Sequence, residues 1–247
     1  MVVLSLTDGP PTAETAATIR SFATALGADQ PAIDTVEQFA EGHLLLGTVD
    51  YHRRSNIRGM IEQEIEARGV FRGLKSFLRL RGFAEDPEVA APFVALGELP
   101  RGTLGRAMFD HYRSFGFAFP GERGGFPEAG FYHDVTHVLA GYGTDPLGEL
   151  QVGAITAGFR GKDPLYVAML PLLVFCAEIN VTPIPHEHAE DLFSQPGVAE
   201  RFIAAYERGA RVTVDLSDHR DFWPYMSRSL EDVRRELNIT SLDFATA

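Results

Sequence analysis

One cysteine, Cys176, stands in 247 residues, so no internal disulfide can form and a reducing compartment is expected. Basic residues are outnumbered: 22 Lys and Arg against 34 Asp and Glu give a net charge of −12. Nucleic-acid phosphates demand a basic surface, which excludes that class of partner. Long apolar runs are missing as well. The longest, 165–177, has thirteen residues with Pro171 inside it, whereas a membrane crossing needs about twenty. A kinked core helix is expected there instead. The opening M-V-V-L-S-L-T-D-G-P-P has neither a basic start nor a long apolar core, so no signal peptide is expected. There is no repeat of fixed period, no low-complexity tract, and no alternation of apolar and polar residues long enough to build a sheet.

What is present is helical spacing in a chain of ordinary globular composition, 45% hydrophobic and 23% charged. Residues 11–26 predict a first helix, with Ala16, Ile19, Phe22, Ala23 and Leu26 at helical spacing and Gly27 as its stop. Further helices are expected over 31–46, 55–67 and 70–80, then a short one from Pro87. One starts after Thr103 as N-cap, and the last ones cover 197–208 and 230–237, with a short extended piece at 212–216. The Gly-, Pro- and Phe-rich stretch 117–130 predicts a loop, suited to a lid. The expected fold class is all-α: one multi-helix domain over 1–247, built around a buried H-D-x-x-H helix, with little or no sheet. Residues 1–85 would form a helical scaffold and 86–247 the portion carrying the chemistry.

That chemistry centres on 131–149, F-Y-H-D-V-T-H-V-L-A-G-Y-G-T-D-P-L-G-E. At about 100° per residue, His133, Asp134 and His137 share roughly a 100° arc of one helix. Gly141, Gly143, Asp145, Pro146 and Gly148 break the pattern. The first helix should therefore end near Ala140, and a second should start near Pro146 with Thr144 or Asp145 as N-cap. Such a turn folds Glu149 back towards the imidazoles. Two imidazoles and two carboxylates, His133, Asp134, His137 and Glu149, suit a divalent metal, zinc by default, with manganese or iron as alternatives. The apolar flanks Phe131, Val135, Val138 and Leu139 argue for a buried helix, where His and Asp need partners or an ion. His111 is a weaker candidate ligand and reads as a core histidine. His186, His188, Glu190 and Asp191 form a second cluster, conceivable as a second metal site, though such a group at a helix start more often reads as solvated acids and histidines.

H-D-V-T-H with Glu149 twelve positions after His137 resembles the signature of the ubiquinone (coenzyme Q) biosynthesis protein four family, here the Coq-four family. L-P-R-G-T-L-G-R-A at 99–107 and the closing S-L-E-D-V-R-R-E-L-N-I are similar to two further segments of that family, and together the likeness spans about 92–240. The family often carries an Arg-Glu pair shortly before the H-D, where this chain reads E-A-G-F-Y. The resemblance implies a role in quinone biosynthesis. The reaction it implies is a metal-dependent oxidative decarboxylation of a prenylated benzoate-type precursor, with the ring carboxyl replaced by hydroxyl. It also implies an alternative, a non-catalytic scaffold that holds a quinone intermediate and organises other biosynthetic enzymes. The partners implied are a prenylated quinone precursor or other isoprenoid lipid, other quinone-biosynthesis enzymes, a peripheral membrane contact and a second copy of the chain. The compartment implied is the bacterial cytoplasm, extending to the cytoplasmic face of the inner membrane. The segment D-G-P-P-T-A-E-T and the helices after it resemble, weakly, the tellurite-resistance TerB-like helical fold.

Residues 52–82 hold eight Arg or Lys and three Glu. Phe71, Leu74 and Leu78 share one helical face among Arg72, Lys75 and Arg79, a pattern that fits either a solvated face or an anionic membrane surface. A zincin fails because its general base is the Glu of H-E-x-x-H, a place taken here by Asp134. A helical H-D phosphohydrolase would need a further upstream histidine and a downstream aspartate, for which His111 and Asp163 or Asp191 fit less well than Glu149 fits the first reading.

Overall fold

The computed structural model describes residues 1–28, 30–55, 59, 85–182, 189, 191–217 and 221–240. Among the described residues every regular element is helical, and the one backbone ladder contact is an isolated bridge between Thr103 and Ser229. The all-α expectation holds. The chain forms two compact units: Met1–Arg58 with Gly143–Ala210, and Gly59–Tyr142 with Arg211–Ala247.

The first unit opens with α1 (Ala13–Leu26), started by the Thr12 hydroxyl accepting from the Thr15 amide and stopped by Gly27 at φ 61°. The helix expected over 31–46 is instead two, α2 (Pro31–Ala40) and α3 (Leu44–Arg54). Gly42 takes φ 77° and the His43 amide turns back to the Gln38 carbonyl, so the chain reverses where periodicity alone reads straight through. Phe39 fills the space beside Gly47, and the Thr35 hydroxyl donates to Asp50 at 2.6 Å, tying α2 to α3. Arg20 of α1 reaches Asp34 and Glu37 of α2.

Helices α7 (Pro146–Phe159), α8 (Pro164–Pro171) and α9 (Val198–Gly209) complete this unit. α7 is buried over most of its surface, through Leu150, Val152, Ala154, Ile155 and Ala157, as a helix near the centre of a core is. The apolar run bends at its proline as expected: α8 ends at Pro171 and the chain continues as a π turn, Leu172–Cys176. Pro171 has no amide hydrogen to give, so the regular ladder stops there. Burial pushes the Cys176 thiol up to about 11, which disfavours the thiolate near neutral pH.

The second unit contains α4 (Pro87–Ala95), α5 (Leu104–Phe115), α6 (Phe131–Ala140), α10 (Trp223–Met226) and α11 (Leu230–Leu237). Its core is aromatic: Phe93 meets Phe119, Phe131 and Trp223, and Tyr112 stacks on Phe119 at 4.3 Å. Edge and offset contacts of this kind add to the area that the rings bury. The loop 117–130 is fastened down at its first half. Glu122 accepts from Arg113 and from the Phe119 amide, Arg113 lies 4.6 Å over the Phe119 ring, and the Asp86 amide donates to Gly121. The guanidinium beside Glu122 holds its carboxyl below the usual range.

At 212–216 the chain makes bends in place of an extended piece, with Asp215 accepting from the amide and hydroxyl of Ser217. This is the local turn that a short acid offers its own backbone. The helices expected over 55–67 and 70–80, with their basic face, lie outside the described residues apart from Ser55 and Gly59. So do His186, His188 and Glu190, while Asp191 sits at φ 52° ahead of the 3-10 turn Leu192–Ser194.

Candidate metal centre

α6 ends where glycine punctuation says it should. Gly141 adopts φ 78°, and the amides of Gly141 and Tyr142 both turn back to the His137 carbonyl. Four residues on, Asp145 caps α7 by accepting from the Gly148 amide at 2.8 Å, with Pro146 in the first turn. A Cβ on Gly148 would lie 2.0 Å from the Gly143 carbonyl oxygen, so this turn closes only around a glycine. Glu149 stands in the first turn of α7, where the positive end of the helix dipole favours a carboxylate. His137 stands in the last turn of α6, where the negative end favours a cation.

His133, His137 and Glu149 form a group able to hold a metal ion: each offers one ligand atom, and these atoms lie within 4.8 Å of one another. His137 is buried, with 1% of its surface exposed, while His133 and Glu149 are half-buried. The Nε2 atoms of His133 and His137 are 3.1 Å apart. Two imidazole nitrogens bound to one tetrahedral zinc at about 2.0–2.1 Å would stand about 3.3 Å apart, so the pair is already at ligating separation. Without an ion the same distance fits one ring N–H donating to the other's lone pair. On the far side of the His137 ring, Nδ1 lies 3.4 Å from the Tyr142 carbonyl oxygen. A carbonyl only accepts, so that contact places the ring proton on Nδ1 and leaves the Nε2 lone pair for a ligand.

Asp134 stands apart from the group of three. Its carboxylate accepts a hydrogen bond from the Tyr112 hydroxyl of α5. Burial, the Asp134 charge and this bond push the Tyr112 phenol far above its ordinary range. His111, one residue earlier, packs its ring against that of His137 at 5.8 Å and against Phe115 and Phe117. It is a half-buried histidine packed among rings of the second unit.

Tyr112→Phe tests what Asp134 does. Removing the donor from a half-buried carboxylate should cost about 1–2 kcal/mol in thermal or denaturant unfolding. Bound metal should stay at one equivalent, as in wild type, because the group of three that could hold the ion does not include Asp134. A fall in metal stoichiometry would instead make Asp134 a ligand.

No family model matches the chain, and no curated protein matches it. Among solved structures, one similar chain is a protein of Nostoc punctiforme PCC 73102 provisionally assigned to ubiquinone biosynthesis. It shares 14% identity, with 85% of this chain and 95% of that one covered and a TM-score of 0.46. A likeness at that level carries no assignment. Among the described residues no helix is long and apolar enough to cross a membrane.

Sequence reasoning did not find Tyr112. Its partner is 22 residues away in the chain, and no local pattern signals so distant a pairing. Its one local mark is helical spacing with Leu104 and Met108, which are buried with it on α5.

Proposed function

We propose that the chain is a metal-dependent protein of quinone biosynthesis, acting on a prenylated benzoate-type precursor to replace its ring carboxyl by hydroxyl. The observation that carries this reading is the donor set itself, two imidazoles and one carboxylate. Among the described residues the group has three protein donors, and three leave coordination positions open, as catalytic metal sites do, whereas purely structural zinc is normally closed by four. Two histidines with one carboxylate are also the set found in non-haem iron oxygenases and in several zinc hydrolases, so the set fits iron as well as the default zinc. When bound, the ion supplies a Lewis acid and, in the case of iron, a redox centre able to use O₂.

The side chains do the rest. His133 and His137 hold the ion as neutral ligands, and Glu149 contributes one negative charge. A divalent ion so bound keeps a net charge of about +1, which attracts an anionic ring carboxylate at a partly desolvated site. Tyr112 supports that balance by engaging Asp134, since a second ligating carboxylate would cancel the remaining charge. With O₂ as oxidant and a two-electron donor, the carboxyl leaves as CO₂ and one oxygen atom enters the ring, the other going to water. The resemblance of the three sequence motifs to the Coq-four family supplies the substrate class.

The test is turnover of a detergent-solubilised prenylated hydroxybenzoate by protein loaded in turn with Fe²⁺, Mn²⁺ and Zn²⁺, under air and with a chemical reductant. Release of CO₂ with a product hydroxylated at the vacated carbon is the expected result. No product with any metal, together with a quinone intermediate retained by the purified protein, would favour the scaffold reading. Peripheral attachment to a membrane, a homodimer and association with other quinone-pathway enzymes belong to the same proposal.

A further inference from the structure

We infer that Arg234, on α11, is a positioning residue for the metal group, acting through the end of α6; the inference rests on the metal reading above. The last four carbonyls of a helix have no partner within it. In α6 these belong to residues 137–140. The His137 carbonyl is taken by the Gly141 and Tyr142 amides. The next two are taken by a single side chain: Arg234 donates from Nη2 to the Val138 carbonyl at 3.0 Å and from Nε to the Leu139 carbonyl at 2.9 Å. Its third nitrogen, Nη1, donates to Glu231 at 2.6 Å, and the side chain is 16% exposed.

The guanidinium is a planar fork with fixed donor directions, so gripping two successive carbonyls sets the direction of the helix end as well as its place. That helix end is where His137 is rooted and where Gly141 begins the turn towards Glu149. The grip spans 95 and 96 residues of chain and links the closing S-L-E-D-V-R-R-E-L segment to the H-D-V-T-H helix. α11 is itself anchored to the start of α5, because the Leu230 amide donates to the Gly102 carbonyl and the Leu104 amide to the Arg228 carbonyl. The L-P-R-G-T-L-G-R-A, H-D-V-T-H and closing segments therefore lie in one unit, and Arg234 is a side chain through which the last of them reaches the helix that carries both histidines.

Two effects of Arg234 on a bound cation oppose each other, and the sign of the result separates them. Its positive charge near the C-terminal end of α6 disfavours a cation there, although Glu231 offsets part of that charge. Its hydrogen bonds keep His137 where its Nε2 faces that of His133. If charge dominates, removing Arg234 raises metal affinity; if positioning dominates, removal lowers it. Loss of an outer partner of a ligand typically costs 10–100-fold in affinity, and Arg234 acts one residue removed from the ligand, so the lower end applies.

The experiment titrates Co²⁺ into metal-free wild type, Arg234→Ala and Arg234→Lys, reading visible absorption for geometry and following the apo-protein melting temperature separately. The expected result is about a tenfold weaker Co²⁺ affinity in Arg234→Ala, with altered visible bands. Arg234→Lys, which keeps the charge but lacks the fork, should lose less. Unchanged affinity and bands in Arg234→Ala, or tighter binding, would overturn the inference, even if the melting temperature falls. If Arg234→Ala does not fold, Arg234→Lys decides alone, and wild-type affinity and bands there count against it. Failure of wild type itself to take up one Co²⁺ would remove the metal reading and this inference together, whereas normal uptake by wild type and Arg234→Ala alike removes only this one.

Discussion

His137→Ala is expected to weaken divalent-metal binding by about two to three orders of magnitude. Structural zinc bound by four ligands is worth about 10–16 kcal/mol near neutral pH, so one good ligand carries about 2.5–4 kcal/mol. At about 1.4 kcal/mol for each factor of ten, its loss is a 100- to 1,000-fold effect. The loss at His137 should be the heaviest of the three, because its ring is buried and its Nδ1 faces the Tyr142 carbonyl. Glu149→Ala, at the half-buried end of the group, should weaken binding for a different reason, since it removes the one negative charge in the set. Far-UV circular dichroism should show the helices kept in both variants, because α6 and α7 are capped by their own backbones and by Asp145. Elemental analysis after dialysis against the metal is the measurement. A full equivalent retained at wild-type affinity by both variants would remove the metal centre from consideration.

The largest effect on stability is expected from Gly209→Ala. Gly209 is the last residue of α9, and a Cβ there would lie 2.0 Å from the Ile155 carbonyl oxygen of α7. Across the same crossing, a Cβ on Gly158 would lie 2.3 Å from the Tyr206 carbonyl oxygen. These contacts are with backbone, which cannot rotate aside, so the two helices must separate by more than an ångström. Helix propensity favours alanine over glycine by about 1 kcal/mol, but separating α9 from the largely buried α7 outweighs that gain. A net loss of about 3 kcal/mol is expected, at the upper end for overpacking. In a chain of this length it corresponds to a fall in melting temperature of roughly 6–12 °C. Gly158→Ala should do nearly as much. The double variant should lose clearly less than the sum, because one separation of α7 from α9 relieves both clashes. A melting temperature unchanged in Gly209→Ala would mean that the helices do not cross this closely.

The helical elements with strong local signals were legible from the residues alone. Thr12 and Gly27 bound α1, Thr103 caps α5, and Gly141, Asp145 and Pro146 mark the turn after the histidines. Each of these acts on its own few neighbours through a backbone dihedral or a single cap bond, so sequence suffices to place it. The break at Gly42 was less legible, because the apolar spacing runs across it and only the left-handed backbone of one glycine separates α2 from α3.

Sequence by itself determined the helical class, the glycine-punctuated turn and the pairing of His133 with His137 one helical turn apart, all of which depend on contacts a few residues long. Only the tertiary structure decided that Asp134 answers to Tyr112, that Arg234 grips the end of α6, and that two glycines let α7 and α9 touch backbone to backbone. Those partners come from remote stretches of chain, and what selects them is the fit of packed surfaces, which no local spacing encodes.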